Sequence, residues 1–528
     1  MIPIKTKQKY LLLIVIFISL VLYSCTKDFP NNPTGNLPPD TGMFLYPDSS
    51  VSQQPSRLKV SWWGDDPDGT ILGYYFKWQG ISNGWSFTTS NDSTFSLPIG
   101  TSDTTYDFLV SAVDKEGNNR YDDHVVQNGI DYGPEPFIDK NGNGTYDEGE
   151  FFYDIGLIDP TPASTLFPIK NTAPVLSWDE LSFLPDSSFP VITIKWNASD
   201  LDGDESITAI NVALNDTTNF VSLTGNTRLV TLRGINLDSS NPEMEILVDG
   251  DPQNIFAKTL TGLKLNDNNI IYLRAVDLSG AASDLLSLPD TSSTWYVKKP
   301  KGDVLIFDGL TNSSTDIQAT QFYNQVFSTM NGGSLAGKFD VFDLANSNLP
   351  FQTVTILETL KLFKYVFWYS GSNPKLDLLN ICTNKFLDYG GKIAFSMTFQ
   401  DSSTNFSFDL STLQGFLPID SVSGVLSNGF LLSGATAKPT TDNSYPELKT
   451  SVTIPFVRAY SPSSSVTDSM YSLYDRNNIS LGNIGFRIKR NLDKELFFIG
   501  LPLHQVDANE GSVTQMMEKI FRDFGAIP

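Results

Sequence analysis

The sequence predicts a multidomain chain: two all-β sandwiches followed by an α/β doubly wound domain. Two short signatures recur in the same order, each preceded by the apolar/polar alternation of a half-buried strand. After Pro300 continuous apolar runs alternate with helical stretches, the pattern of buried parallel strands joined by helices. At 528 residues the chain is also too long for one core.

Composition narrows the function classes. Hydrophobic residues make up 40% and aromatics 12%, too apolar for a disordered polymer. Lys+Arg 36 against Asp+Glu 59 gives a net charge of −23, a field that repels phosphates, so no nucleic-acid partner is expected. Two Cys and two His leave little material for zinc sites, disulfide frameworks or histidine-based catalysis.

Residues 1–25 read as an export signal. Lys5, Lys7 and Lys9 precede an apolar run from Leu11 to Tyr23, which as a helix spans only about 20 Å and so falls short of a bilayer core. The string Leu22-Tyr23-Ser24-Cys25 resembles a bacterial lipobox, and the resemblance implies that Cys25 is acylated and becomes the first residue of the mature chain. Acyl chains would then hold the protein on a membrane. Thr26-Lys27-Asp28 resembles part of the Lys-acidic export signal of some Gram-negative lipoproteins, which points to an outer-membrane address and outward display. Residues 26–41, rich in Pro and Asn, read as a semi-rigid tether.

The two sandwiches are expected over 42–128 and 171–298. Trp62-Trp63-Gly64-Asp65-Asp66-Pro67-Asp68-Gly69 matches Trp196-Asn197-Ala198-Ser199-Asp200-Leu201-Asp202-Gly203. Ala112-Val113-Asp114-x-x-Gly117 matches Ala275-Val276-Asp277-x-x-Gly280. Leu58, Val60 and Trp62 alternate with polar residues and run into Asp-Pro-Asp-Gly, a strand ending in a turn. The second copy is longer, and its insertion is expected within 231–256. Together the segments resemble fibronectin type III or immunoglobulin-like sandwiches, on the pattern Tyr106-x-Phe108-x-Val110-x-Ala112-Val113-Asp114-x-x-Gly117. Asn269 stands at the Tyr position of the second copy. The Asp-rich turns read either as calcium ligands or as caps of their own backbone. Trp62, Trp63, Trp78 and Trp85 read as core or as a carbohydrate platform.

The stretch 129–170 is expected to be a linker carrying a metal site. Residues 139–150, DKNGNGTYDEGE, meet D-x-[DN]-x-[DN]-G-x5-E at every required position. Alternate spacing lets Asp139, Asn141, Asn143, Asp147 and Glu150 offer side-chain oxygens and Thr145 its carbonyl, while Gly144 permits the bend. Such a hard-oxygen set suits Ca2+. Gly133-Pro134 and Asp159-Pro160 leave no room for flanking helices, so the loop resembles isolated EF-hand-like or dockerin-like loops of extracellular proteins, in which calcium orders a connector.

From 299 to 528 strands are expected at Val304 to Phe307, Phe339 to Phe342, Tyr365 to Tyr369, Ile393 to Phe395 and Leu496 to Ile499. Helices are expected around Gln318 to Met330, Val354 to Phe363, Lys375 to Tyr389 and from Val513 onward. Residues 401–485 read as an insertion. DVLIFDG, YVFWYSG, DYGGKIAFS and ELFFIGLPLH resemble class I glutamine amidotransferase-like, flavodoxin-like domains. The catalytic members of that family place a Cys on a Gly-flanked elbow after the fourth strand. This chain has Ser396-Met397-Thr398-Phe399 there, and a strained elbow needs small neighbours. His504 follows the last strand, so a Ser396/His504 pair is the remaining catalytic candidate. Cys382 lies on the apolar face of its helix and reads as a small hydrophobe.

The expected function is that of a non-catalytic envelope lipoprotein, a binding, adhesion or scaffold module for an envelope protein or polysaccharide. The alternative is a surface hydrolase or glycan-processing enzyme with its site near Asp308, Ser370, Ser396 and His504.

Overall fold

The structure, a computed structural model, describes residues 35–44, 55–98, 104–290, 293–310, 313–345, 350–400, 410–424, 430–489, 492 and 494–528. The signal segment, Cys25 and the start of the tether lie outside the described residues. No helix among the described residues is long and apolar enough to cross a membrane. The chain divides into two compact units, one ending at Thr172 and taking in Leu201–Gly203, the other formed by Ala173–Asp200 and Asp204–Pro528.

In the first unit β1 (Asp40–Met43), β2 (Arg57–Asp65), β3 (Ile71–Trp78), β4 (Ser86–Thr88), β5 (Asp92–Ser96), β6 (Thr104–Asp114) and β7 (Ala163–Ile169) form two antiparallel sheets. Their orders are β1-β2-β5 and β4-β3-β6-β7. Alternation sends Leu58, Val60 and Trp62 of β2 and Phe108, Val110 and Ala112 of β6 into one core. Phe108 is fully buried and is its hub. Its ring lies 5.7 Å from Trp62, 4.8 Å from Trp78 and 5.4 Å from Phe95.

Here the structure corrects the expected boundary. Residues 129–170 are not a linker between sandwiches, because Thr104–Val110 of β6 pairs with Ala163–Ile169 over seven positions. The first sandwich needs β7 to cover its sheet edge. The metal-loop stretch is therefore an excursion within that domain.

The second unit repeats the plan with β8 (Val175–Trp178), β9 (Val191–Ser199), β10 (Ile207–Leu214), β11 (Val221–Thr224), β12 (Leu229–Ile235), β13 (Glu243–Val248), β14 (Ile271–Asp277) and β15 (Leu286–Leu288). The orders are β8-β9-β12-β13 and β11-β10-β14-β15. Matching by position in the sheets, β12 corresponds to β5, so the added element is β13 and the loop after it. The expected insertion at 231–256 begins inside β12, a few residues early. Trp196, Ile210, Leu232, Ile246 and Leu273 fill the core.

The rest of the second unit is built on β16 (Val304–Asp308), α1 (Ser313–Gly333), β17 (Phe339–Asp343), α2 (Thr353–Leu360), β18 (Tyr365–Tyr369), α3 (Leu376–Asp388), β19 (Lys392–Ser396), β20 (Thr436–Pro439), β21 (Leu448–Lys449), β22 (Thr467–Tyr474), β23 (Ser480–Ile488), β24 (Glu495–Ile499) and α4 (Ser512–Asp523). One nine-stranded sheet runs β17-β16-β18-β19-β24-β23-β22-β20-β21. Its first five strands are mutually parallel and the rest antiparallel. The continuous apolar runs are the parallel strands, buried on both faces. Strand period 2 puts Phe342, Phe307, Trp368 and Phe395 in register on one face, with Phe307 stacked 3.8 Å from Trp368. The opposite face carries Phe367 and Tyr369 against Tyr323 and Phe327 of α1. Phe327 in turn meets Phe521 of α4.

Residues 401–485, expected as an insertion, contribute β20 to β22 and most of β23, the antiparallel half of this sheet. These strands bury only part of their side chains, and their polar positions hid them behind Ser and Thr.

Buried polar bonds join the second sandwich to the α/β region. Thr193 Oγ1 lies 2.7 Å from Thr231 Oγ1 and 2.6 Å from Thr355 Oγ1. Arg233 bridges Glu245 and the fully buried Glu358, which also receives Lys361 Nζ at 2.7 Å. Phe189 packs edge-on to Phe363 at 5.2 Å.

Candidate functional site

The Asp139 to Glu150 loop is a hairpin excursion. Its base is the antiparallel bridge Phe137 to Phe152, with Ile138 N donating to Phe151 O at 2.8 Å and Tyr153 N to Pro136 O at 2.8 Å. Tyr146 inserts from the loop, stacking at 3.9 Å on Tyr121, and Phe137 and Phe152 meet both rings edge-on.

The side chains of the motif bond to its own backbone and to one another. Asp139 accepts Gly142 N at 2.6 Å and Gly144 N at 2.7 Å, and these amides, Gly144 first, hold its carboxyl below the usual range. Gly144 has φ of +77°, which the sharp bend requires. Asp147 Oδ2 accepts the side-chain amides of Asn141 at 2.7 Å and Asn143 at 2.8 Å. Glu150 folds back to accept Lys140 N at 2.8 Å and Asp147 N at 3.1 Å. These bonds join the three carboxylates and two amides of the motif into one network, without gathering the carboxylates into a tight cluster. Asn141 and Asn143 Oδ1 accept Asn143 N and Thr145 N, so holding a calcium ion would require these amides to turn and the carboxylates to draw together.

The repeated Asp signatures act as caps. Asp114, fully buried, accepts Glu116 N at 3.0 Å, Leu157 N at 3.0 Å and the Asn36 amide at 2.8 Å, tying the excursion to β6. Its counterpart Asp277 accepts Ala281 N at 2.8 Å and the Ser279 hydroxyl at 2.9 Å. Gly117 is required by close approach, since a Cβ there would lie 2.2 Å from Asp154 Oδ1. Carboxylate oxygens of Asp66, Asp114 and Glu116 also lie within 4.8 Å of one another. The second copy has Ser279 in place of Glu116, so the fold itself does not need this third acid.

The Trp cluster is not a platform. Trp62 and Trp78 are core residues, and Trp85 packs 5.0 Å from Tyr132 in a satellite cluster. Trp63 is exposed and lies over Gly42.

In the α/β region the suspected catalytic residues gather at the carboxyl ends of the parallel strands, already bonded to their neighbours. Asp308 accepts Leu310 N at 3.0 Å, the Thr320 hydroxyl at 2.7 Å and the Tyr369 hydroxyl, and burial raises its carboxyl pKa. Ser370 Oγ donates to Gly309 O at 3.1 Å. Ser396, fully buried, donates to Leu501 O at 2.9 Å and accepts Leu503 N at 3.1 Å. Ser396 and His504 meet through the Tyr323 hydroxyl, 3.4 Å from each. Burial lowers the His504 pKa to about 4, so the ring is neutral near pH 7. Cys382 is fully buried and its thiol is pushed up to about 12 by desolvation. Thr320, Tyr323 and Tyr369, the partners in this network, carry no sequence motif; the sequence places them only within an expected helix and strand.

No known protein family matches the chain, and no curated protein does. Among solved structures, the fibronectin(III)-like modules of Clostridium thermocellum CbhA align at 12% identity over 49% of this chain and 94% of theirs, with a TM-score of 0.15. A two-domain fibronectin type III segment of chicken tenascin aligns at 11% over 48% of this chain and 97% of its own, with a TM-score of 0.18. A ThuA-like protein from Parabacteroides merdae aligns at 12% over 43% and 91%, with a TM-score of 0.27. At such scores the sandwich architecture rests on the strand pairing above.

Proposed function

We propose that this chain is a non-catalytic envelope lipoprotein, anchored through acylated Cys25 on a bacterial outer membrane and presenting a binding, adhesion or scaffold surface to an envelope protein or polysaccharide. Its sandwiches are of fibronectin type III or immunoglobulin-like kind. The Tyr106 hydroxyl supports this, donating 2.8 Å back to Pro98 O as a tyrosine corner does. Calcium in the loop of Asp139, Asn141, Asn143, Thr145, Asp147 and Glu150 stiffens the excursion of the first sandwich.

The last domain is a flavodoxin-like, class I glutamine amidotransferase-like unit used without its chemistry. In chain order the parallel strands run 2-1-3-4-5, an order whose ligands bind beyond the strand carboxyl ends. The observation that carries the non-catalytic reading lies there: Ser396, the nearest thing to a nucleophile, is buried with its hydroxyl committed to the backbone of Leu501 and Leu503. A serine hydrolase instead needs an accessible hydroxyl beside a base.

A fluorophosphonate probe tests this on the full chain. We expect no labelling that Ser396→Ala removes, together with retention of a partner when the native protein is extracted in detergent. Labelling abolished by Ser396→Ala would establish the hydrolase alternative instead.

A further inference from the structure

Within the second unit a cavity of about 430 Å3 lies where the second sandwich meets β17 and α2. Phe189, Ile192 and Ile356 make a buried floor, Phe342 forms part of the wall, and Leu181 and Phe183 stand on the rim. Leu181 is 53% and Phe183 60% exposed.

Three features argue that this is a site and not a packing gap. Its walls cannot close, because the sandwich and the α/β region are fixed by the Thr193 to Thr355 bond and the Arg233 to Glu358 pair. Its polar floor groups are already used: Thr193 and Thr355 bond each other, and Thr359 Oγ1 donates to Thr355 O at 2.7 Å. Most of the lining is apolar, so water there finds fewer partners than in bulk. The size and the apolar lining at a junction of two folds match small-molecule sites.

We propose that this cavity binds a small uncharged apolar molecule, of two or three hydrocarbon rings or a short acyl chain. The floor bonds leave no group to recognise a buried charge. Glu180 and Lys298, the lining residues that carry charge, are both exposed and opposite in sign, so neither an anion nor a cation is selected. The inference uses neither the lipid anchor nor the calcium loop.

The test titrates the full chain with N-phenyl-1-naphthylamine, an uncharged probe that fluoresces when it leaves water. Saturable one-to-one binding is expected. Ile356→Trp, which fills the floor, should abolish it. Phe183→Ser at the exposed rim should weaken it about tenfold. The rim variant decides alone if the filled variant does not fold. Non-saturable binding, or binding unchanged by Phe183→Ser, would overturn the proposal. So would a wild-type chain that binds no probe but self-associates in sedimentation in a way Phe183→Ser removes, since the occupant would then be a second copy.

Discussion

At the scale of single residues the two sandwiches solve one problem twice. Tyr106 pins the corner of the first through its hydroxyl, while fully buried Asn269 does so in the second, its amide accepting Lys264 N at 2.9 Å and donating to Lys264 O at 2.8 Å and Asp267 O at 3.0 Å. Asn269→Ala leaves these backbone groups unpaired and should cost about 2 kcal/mol, read as a shift in urea midpoint. A loss near zero would mean that water takes over the corner. The Tyr corner was legible from its pattern; the Asn corner was not, because its third partner, Asn215, lies far away in sequence. His504 offers a second test. Its folded pKa of about 4 is below the ordinary 6.5, so between those values the unfolded chain takes a proton the folded chain refuses. Its contribution is whole above pH 6.5 and is lost as pH falls toward 4, on the order of 3 kcal/mol. His504→Gln should flatten the stability profile over that window relative to the parent; identical profiles would contradict the assignment.

At the scale of elements, the excursion between β6 and β7 is where calcium should act. Excess calcium over chelator should raise resistance to protease within residues 130–160, and Glu150→Gln, which replaces a charged bidentate oxygen ligand, should remove the difference. Equal cleavage under both conditions would leave the loop a metal-free turn. The motif was legible because its spacing is local. Its placement inside a sandwich was not, since the pairing of Thr104–Val110 with Ala163–Ile169 spans the whole excursion. The parallel strands were legible from continuous apolar runs, and Gly485 to Ile488 of β23 read as strand-like, whereas β20 to β22 were disguised by polar residues. The junction between α2 and the second sandwich yields another test. Arg233→Met leaves buried Glu358 paired with Lys361 alone and should cost about 2 kcal/mol, part of which the double variant with Glu358→Met recovers. Additive losses in the two variants would show that the pair is not coupled.

At the scale of the molecule, charge, address and architecture give one picture. A net charge of −23 suits a solvated displayed surface and disfavours anionic partners such as nucleic acid. The polar cluster at the strand ends was legible as a set, Asp308, Ser370, Ser396 and His504, but its closure was not, because Thr320, Tyr323 and Tyr369 reach it only through the fold. The proposed anchor is acylation of Cys25, and intact mass of the N-terminal peptide from native membranes tests that most directly. The account predicts a mature chain that begins at Cys25 and carries acyl mass on it. A product that retains Met1, or whose leading residue bears no acyl group, would contradict it.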